Sequence, residues 1–193
     1  MSKYAFVGGK LVDGTGAAPV EDSLVLIDDD KITYAGSRKE VPEGYEVRDA
    51  SGHTVMPGLV DTHLHFSGNL TDNDNDWVIE SVAQKQACAV KQSWDALSHG
   101  LTTVCEIGRN GIAIRDLVNM GVMEGPRIYA TGLGFCRVAG HGDCHQLPQE
   151  ISKNGHPWGD QVDGPWDLRK AVRRRLRENP DAIKIWATGG GIW

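Results

Sequence analysis

The chain opens with short apolar runs that read as strands and later alternates strand-like and helix-like spacing. Over residues 1 to about 53 the runs are Tyr4-Ala-Phe-Val7, Ser23-Leu-Val-Leu-Ile27 and Lys31-Ile-Thr-Tyr34. Turn-rich Asp13-Gly-Thr-Gly16 and Asp28-Asp-Asp30 separate them. The last two runs are predicted to form a hairpin, with Asp30 taking the positive φ that its turn requires. Thr54-Val-Met-Pro-Gly-Leu-Val-Asp-Thr-His-Leu-His65 follows: an apolar run, a break at Pro57-Gly58, and a β-branched strand ending on two histidines.

Helical and strand patterns then take turns. Trp77 to Ser98 places Ile79, Val82/Ala83, Val90, Trp94 and Leu97 at helical spacing, with Asp76 as cap and Gly100 as stop. Leu101 to Ile107 is a β-branched strand, and Gly111 to Met120 a short amphipathic helix stopped by Gly121. Arg127-Ile-Tyr-Ala-Thr131 is a further strand. Gly134 to Gly164 is predicted to be long and irregular, and such a stretch inside a compact domain is usually functional or disordered. Asp163 is expected to cap a helix from Trp166 to Glu178 with Leu168, Val172 and Leu176 on one face, ended by Asn179-Pro180. Ala182 to Ala187 reads as a fourth, buried strand. This order predicts parallel βα units. No Gly-x-Gly-x-x-Gly follows the first strand, which argues against a dinucleotide fold. Gly189-Gly-Gly191 lacks the Lys-Ser/Thr of a phosphate loop and reads as room for backbone close to a ligand or metal.

Composition narrows the function classes. A chain of 193 residues has room for one good core or a little more, and 40% hydrophobic with 24% charged residues is ordinary for a globular protein. The net charge of −6 does not favour a nucleic-acid partner. The basic run Arg169-Lys170, Arg173-Arg174-Arg175 and Arg177 is read as the solvated face of its helix. No segment approaches a membrane span, and the N-terminus lacks the apolar run of a signal peptide. Cys88, Cys105, Cys136 and Cys144 form no CxxC pair, so a cytoplasmic protein with free thiols is expected. The five Asp/Asn residues from 72 to 76 lack the Gly and Glu of a calcium-binding EF-hand and read as a solvated loop.

The candidate chemistry begins with His63 and His65. Residues i and i+2 of a strand share a face, so two neutral imidazoles project together where a divalent metal can be held. Lys184 lies within an otherwise apolar strand, where a charged amine is costly unless neutral, paired or modified; a buried stem with its head reaching solvent is the plainer alternative. His141, in Gly140-His-Gly-Asp143, is either a hydrogen-bonded loop residue or one that faces a ligand. Cys136, His141, Cys144 and His145 form a rival metal group, with spacing unlike that of zinc fingers.

Pro57-Gly-Leu-Val-Asp-Thr-His-Leu-His65 resembles the signature that opens the barrel of the amidohydrolase superfamily. Gly100-Leu-Thr-Thr-Val, Gly140-His-Gly-Asp143 and Asp181-Ala-Ile-Lys-Ile-Trp-Ala-Thr-Gly-Gly190 follow in family order and are similar to its imidazolonepropionase-like and Xaa-Pro or Xaa-Arg/Lys peptidase branch. The resemblance implies an α/β fold: a partial (β/α)8 TIM-type barrel of about four strands in residues 54–193, preceded by strands of a small β-sandwich in residues 1–53. It implies a metal-dependent hydrolase of amide or peptide C–N bonds, acting by metal-activated hydroxide on a small or dipeptide-like substrate. His63, His65 and Lys184 are the implied metal ligands. Lys184 is implied to be carboxylated and to bridge two divalent ions, zinc in the complete enzyme, while His141 is on the substrate side. Glu106 stands where similar enzymes usually end the second strand with Asp.

A complete barrel of this type needs ~250 residues. Further histidines and an aspartate of the family pattern would fall after Trp193, so the chain is expected to be the N-terminal part of a larger enzyme, inactive alone, whose full-length form can be a homo-oligomer. A non-catalytic fragment or binding module is the competing reading, and hydrolysis of cyclic amides or of urea/carbamate bonds is a third.

Overall fold

The computed structural model describes residues 2–69, 71, 79–145, 147–152 and 159–189. The chain forms two compact units, Met1–Gly58 and Leu59–Trp193.

In the first unit, β1 (Lys3–Val7), β3 (Ser23–Asp28), β4 (Lys31–Ser37) and β5 (Glu46–Asp49) make one sheet in the order β4-β3-β1-β5. A separate ribbon pairs β2 (Lys10–Leu11) with β6 (Thr54–Val55). The three strands expected from the apolar runs all form, while β2, β5 and β6 are too short or too polar to signal themselves. Ala5, Val7, Leu24 and Leu26 meet in a small core, roofed by Tyr34, Val41 and Tyr45. They occupy alternate positions on neighbouring strands, as the two-residue period of a strand dictates. The β3–β4 turn corrects one expectation: the positive φ, 53°, falls on Asp29 rather than Asp30. Asp29 is held in that conformation because its N–H donates to the Ser2 carbonyl and its Oδ1 accepts from the Ser2 N–H, both at 2.8 Å.

In the second unit, β7 (Leu59–Leu64), α1 (Val82–Ser98), β8 (Leu101–Glu106), α2 (Gly111–Asn119) and β9 (Arg127–Ala130) run as parallel βα repeats, with sheet order β7-β8-β9. Phe66, Ala89, Val104, Ile114, Ile128 and Ala130 form the buried core between this sheet and its helices. Helix α1 starts later than expected. Its N-cap is Ser81, whose hydroxyl accepts from the Gln84 N–H while Gln84 caps Ser81 in return. Asp76, the expected cap, lies outside the described residues. The buried face of α1 is Lys85, Ala89 and Ser93, not the Val82/Trp94 stripe; small Ala and Ser let the helix lie close, and Trp94 is left half exposed.

The stretch expected to be irregular is more ordered than its composition suggests. It holds β10 (Gly134–Cys136), α3 (Gln149–Ser152) and β11 (Gly159–Gln161). Helix α4 (Gly164–Leu176) follows, and then β12 (Ile185–Trp186), which pairs with β10 in a second parallel sheet, β11-β10-β12. The expected buried strand over residues 182–187 is therefore a two-residue strand, and Ile185 is 54% exposed.

Asp181 occupies the ladder position just before it. Its N–H donates to the Ala130 carbonyl, and its Oδ2 accepts from the Ala130 N–H at 2.8 Å and from Arg115 at 2.7 Å. On α4 the residue turned inward beside Ala171 is Arg175, not Leu176. Arg175 is thus not part of a solvated basic face: it pairs with Asp160 at 2.9 Å and with Glu178. Asp163 stands at the N-cap of α4 without a side-chain cap bond, and its own N–H donates to the Asp167 carboxylate at 3.2 Å.

Candidate functional site

Strand β7 carries His63 near its end, and His65 follows directly after Leu64. Their rings lie 5.4 Å apart between centroids, inclined at 76°. The local reason is more than strand alternation. Asp61 pairs with Val104 and Leu64 with Glu106, so β7 has one residue more than β8 between those points. Such a bulge twists a strand and redirects the side chains it carries. The Asp61 carboxylate accepts from the His63 N–H at 2.9 Å and holds the irregular backbone there. His65 is pushed below the usual histidine range, first by partial desolvation of the ring, then by the charges of His63 and Lys184. It is therefore held neutral, the form that binds a metal.

That effect also reports where Lys184 is. The residue precedes β12, and its carbonyl accepts from the Phe135 N–H at 2.9 Å, which ties it to β10. Its side chain is half-buried, with Nζ 5.8 Å from the centre of the Trp186 ring and its stem against the backbone of Gly134.

His141 lies on a tight turn after Ala139, whose φ is 58°. Its N–H donates to the Thr188 carbonyl at 3.1 Å, and its ring stacks on Trp186 with 5.5 Å between centroids and 24° between planes. The turn is pinned from below by Asp143, which is buried. Asp143 accepts from Ser152 Oγ at 2.6 Å, Gln161 Nε2 at 2.8 Å and the Ala139 N–H at 2.8 Å. Burial alone would raise the Asp143 carboxyl; the Ser152 and Ala139 bonds, aided by His145 and Gln161, outweigh it and hold the group below its ordinary value.

Trp186 is the residue that sequence reasoning passed over. It touches the backbones of Gly142 and Gly159, and it stands between Lys184 and His141. The signal was present, because Trp186 is two residues beyond Lys184 on one strand and so shares its face. Glu106 is noted in the sequence only for standing where similar enzymes usually carry Asp, with no role assigned. It is fully buried at the end of β8, and burial pushes its carboxyl up to about 7 against backbone N–H groups of Gly108, Phe66 and Gly111 that favour the charge. The Cys136/Cys144 alternative has both side chains buried and no disulfide between them, and Cys136 rests against Gly142. Among the described residues no group of three His, Cys, Asp or Glu side chains is arranged to hold a metal ion. The metal-binding potential therefore rests on two imidazoles and one amine. Of these, the imidazoles are of a kind that suits a divalent cation, burial shifting His65 towards its neutral form beside the His63 ring, whereas an amine that bears a positive charge is not a donor until it is deprotonated or modified.

Residues 54–191 match the profile of the Amidohydrolase family. The chain belongs to the amidohydrolase family. Members of this family are generally metal-dependent hydrolases. Ochratoxinase from Aspergillus niger is 32% identical over 200 residues, covering 94% of this amidohydrolase chain and 41% of the relative. The crystal structure of A. niger ochratoxinase superposes with a TM-score of 0.80 at 25% identity, over 95% of this chain and 46% of that one. A prolidase complexed with N-methylphosphonate-L-proline gives 0.79 at 26% identity, again over 95% and 46%. The chain thus spans less than half the length of these relatives. Among the described residues no helix is long and apolar enough to cross a membrane.

Proposed function

We propose that this chain supplies the first ligands of the metal centre in an amidohydrolase that cleaves amide or peptide C–N bonds of small, dipeptide-like substrates. In this reading residues 1–53 are strands of a flanking β-sandwich, and residues 54–193 carry the first four strands of a (β/α)8 barrel. His63 and His65 hold one divalent ion, zinc being suited to imidazole. Lys184, carboxylated on Nζ, offers two anionic oxygens to bridge a pair of ions. Bound there, the metals supply a Lewis acid for the amide carbonyl and a water activated at neutral pH. His65 contributes a lone pair because its environment keeps it unprotonated. His141, steadied by Thr188 and the Trp186 face, presents an imidazole edge to the substrate beside that centre.

The observation that carries this reading is the pairing of the His63 and His65 rings at the end of β7, with 5.4 Å between their centroids. The relatives ochratoxinase and prolidase support the choice of amide bonds. The test is metal content and amide hydrolysis in the whole protein, with wild type compared against His63→Ala, His65→Ala and Lys184→Ala. Each substitution is expected to lower metal content and abolish most turnover, and a small carboxylic acid is expected to restore part of it in Lys184→Ala alone. A Lys184→Ala protein with unchanged metal content and turnover would remove the proposal.

A further inference from the structure

The segment that leaves the histidine strand is held in an unusual way. The Ile107 N–H donates to the Leu64 carbonyl at 3.1 Å, and Leu64 is the last residue of β7 paired with β8. Beyond it, side chains take the place of a neighbouring strand. Glu106 Oε1 accepts from the Phe66 N–H at 3.1 Å, and Asn110 Nδ2 donates to the Phe66 carbonyl at 2.7 Å. Gln92 of α1 accepts from the Gly68 N–H and donates to the Asn69 carbonyl, both at 2.9 Å. Both main-chain polar groups of Phe66 are thereby satisfied by side chains, while its ring is sunk in the core. His65 sits between two anchored residues, Leu64 and Phe66.

Glycines make room for this arrangement. A Cβ on Gly108 or Gly111 would meet the Glu106 carboxylate, and one on Gly68 would meet the Lys85 carbonyl. The arrangement is also costly. Glu106 is wholly buried, and neither its Oε2 nor the buried Asn110 Oδ1 has a hydrogen bond of good geometry among the described residues. Apolar packing would hold the turn without burying a carboxyl group. Polar networks that sacrifice stability in this way are expected where position matters more than stability.

We propose that Glu106, Asn110 and Gln92 are positioning residues: they lock the main chain of residues 66–69 and so set His65 for a metal ion before the ion arrives. The proposal rests on the reading of His65 as a metal ligand. Partners outside the ligand set typically change metal affinity by ~10–100-fold.

The test is a zinc titration of the whole protein, followed by the imidazole ¹⁵N shifts of His63 and His65. Asn110→Ala and Glu106→Leu are expected to bind zinc at least ~10-fold more weakly and to shift the His65 resonances before zinc is added. Glu106→Gln keeps an acceptor for Phe66 and is expected to restore affinity to within ~2-fold of wild type. Leu24→Val, a core change in the first unit, is expected to lower stability and leave zinc binding intact. If Glu106→Leu does not fold, Asn110→Ala and Gln92→Ala decide. Zinc binding by His65→Ala equal to wild type, or none by wild type, overturns the ligand reading and this proposal with it. Zinc lost in His65→Ala but kept in both Asn110→Ala and Gln92→Ala overturns the positioning role alone.

Discussion

Replacing Glu106 by Gln should change how the stability of the second unit depends on pH. Glu106 is fully buried, and its carboxyl is raised to about 7. The unfolded chain leaves the same group near ~4.3. Between those values the folded state holds a proton that the unfolded state has released, so stability falls as pH rises. A separation of roughly 2.5 pH units corresponds to about 3 kcal/mol in full, of which about 2 kcal/mol lies between pH 5 and pH 8. Glutamine keeps the shape of the neutral acid and does not titrate. Subtracting the two proteins at each pH cancels contributions shared with other groups, including His65.

All six tryptophans lie between Trp77 and Trp193, so their fluorescence reports the second unit. With a urea dependence of about 2 kcal/mol per molar, the wild-type midpoint should drop by about 1 M relative to Glu106→Gln across that range. A difference constant to within ~0.5 kcal/mol from pH 5 to pH 8, the scale of a neutral surface change, would refute the assignment. It would mean that the three backbone N–H groups around the carboxylate outweigh its burial.

Asp181→Ala should destabilise the second unit by about 2 kcal/mol in the same urea assay, because Ala130 loses an acceptor and buried Arg115 loses one of its two carboxylates. The value is set below that for a fully buried pair because Asp181 is about one-third exposed. Its carboxyl is held below the ordinary range by the Ala130 N–H and Arg115 in spite of burial, so the loss should be present at neutral pH and shrink as pH falls through ~4. Gly111→Ala should be worse than an ordinary Gly-to-Ala change in a helix, since the new methyl meets Glu106; a variant as stable as wild type would show that the carboxylate can move. Ser81→Ala should cost about 1 kcal/mol through loss of the capping box, measured by thermal unfolding, and a neutral result would locate the start of α1 elsewhere.

Legibility in the sequence followed how local each signal was. Strands β1, β3 and β4 of the first unit, helix α2 and the parallel βα order were readable because alternation, helical spacing and Gly stops act within a few residues. The strand over Gly134–Cys136 was not, since it is three residues long and lies in a Gly-rich stretch. Only its pairing with β11 and β12 makes it a strand. Arg175 was assigned to solvent for a similar reason: Asp160, which pulls it inward, is distant on the chain. The histidine pair was legible as a motif, while the bulge at Thr62–His63 that directs the rings was not, because it depends on the register against β8. Trp186 was missed although its spacing from Lys184 marked it, because a tryptophan in an apolar run reads first as core.

These gaps share a physical cause, and it bears on how the site works. The residues proposed to carry chemistry, His63, His65, Lys184 and His141, are conspicuous because their types are expensive to place in or beside a strand. The residues that aim them are ordinary in type: Glu106 ends a strand, Asn110 precedes a helix, Gln92 sits on a helix face, and Asp143 closes a turn. Glu106, Asn110 and Gln92 satisfy main-chain groups on a segment remote in sequence, where no regular ladder reaches, and Asp143 satisfies one within its own turn. A fold that ends its strands at one face necessarily leaves such unpaired N–H and C=O groups there. Side chains recruited to satisfy them fix the strand-end geometry on which a metal or a substrate would depend. The positioning apparatus is therefore a consequence of the strand-end architecture itself, and it is found by following unpaired backbone groups rather than by searching for motifs.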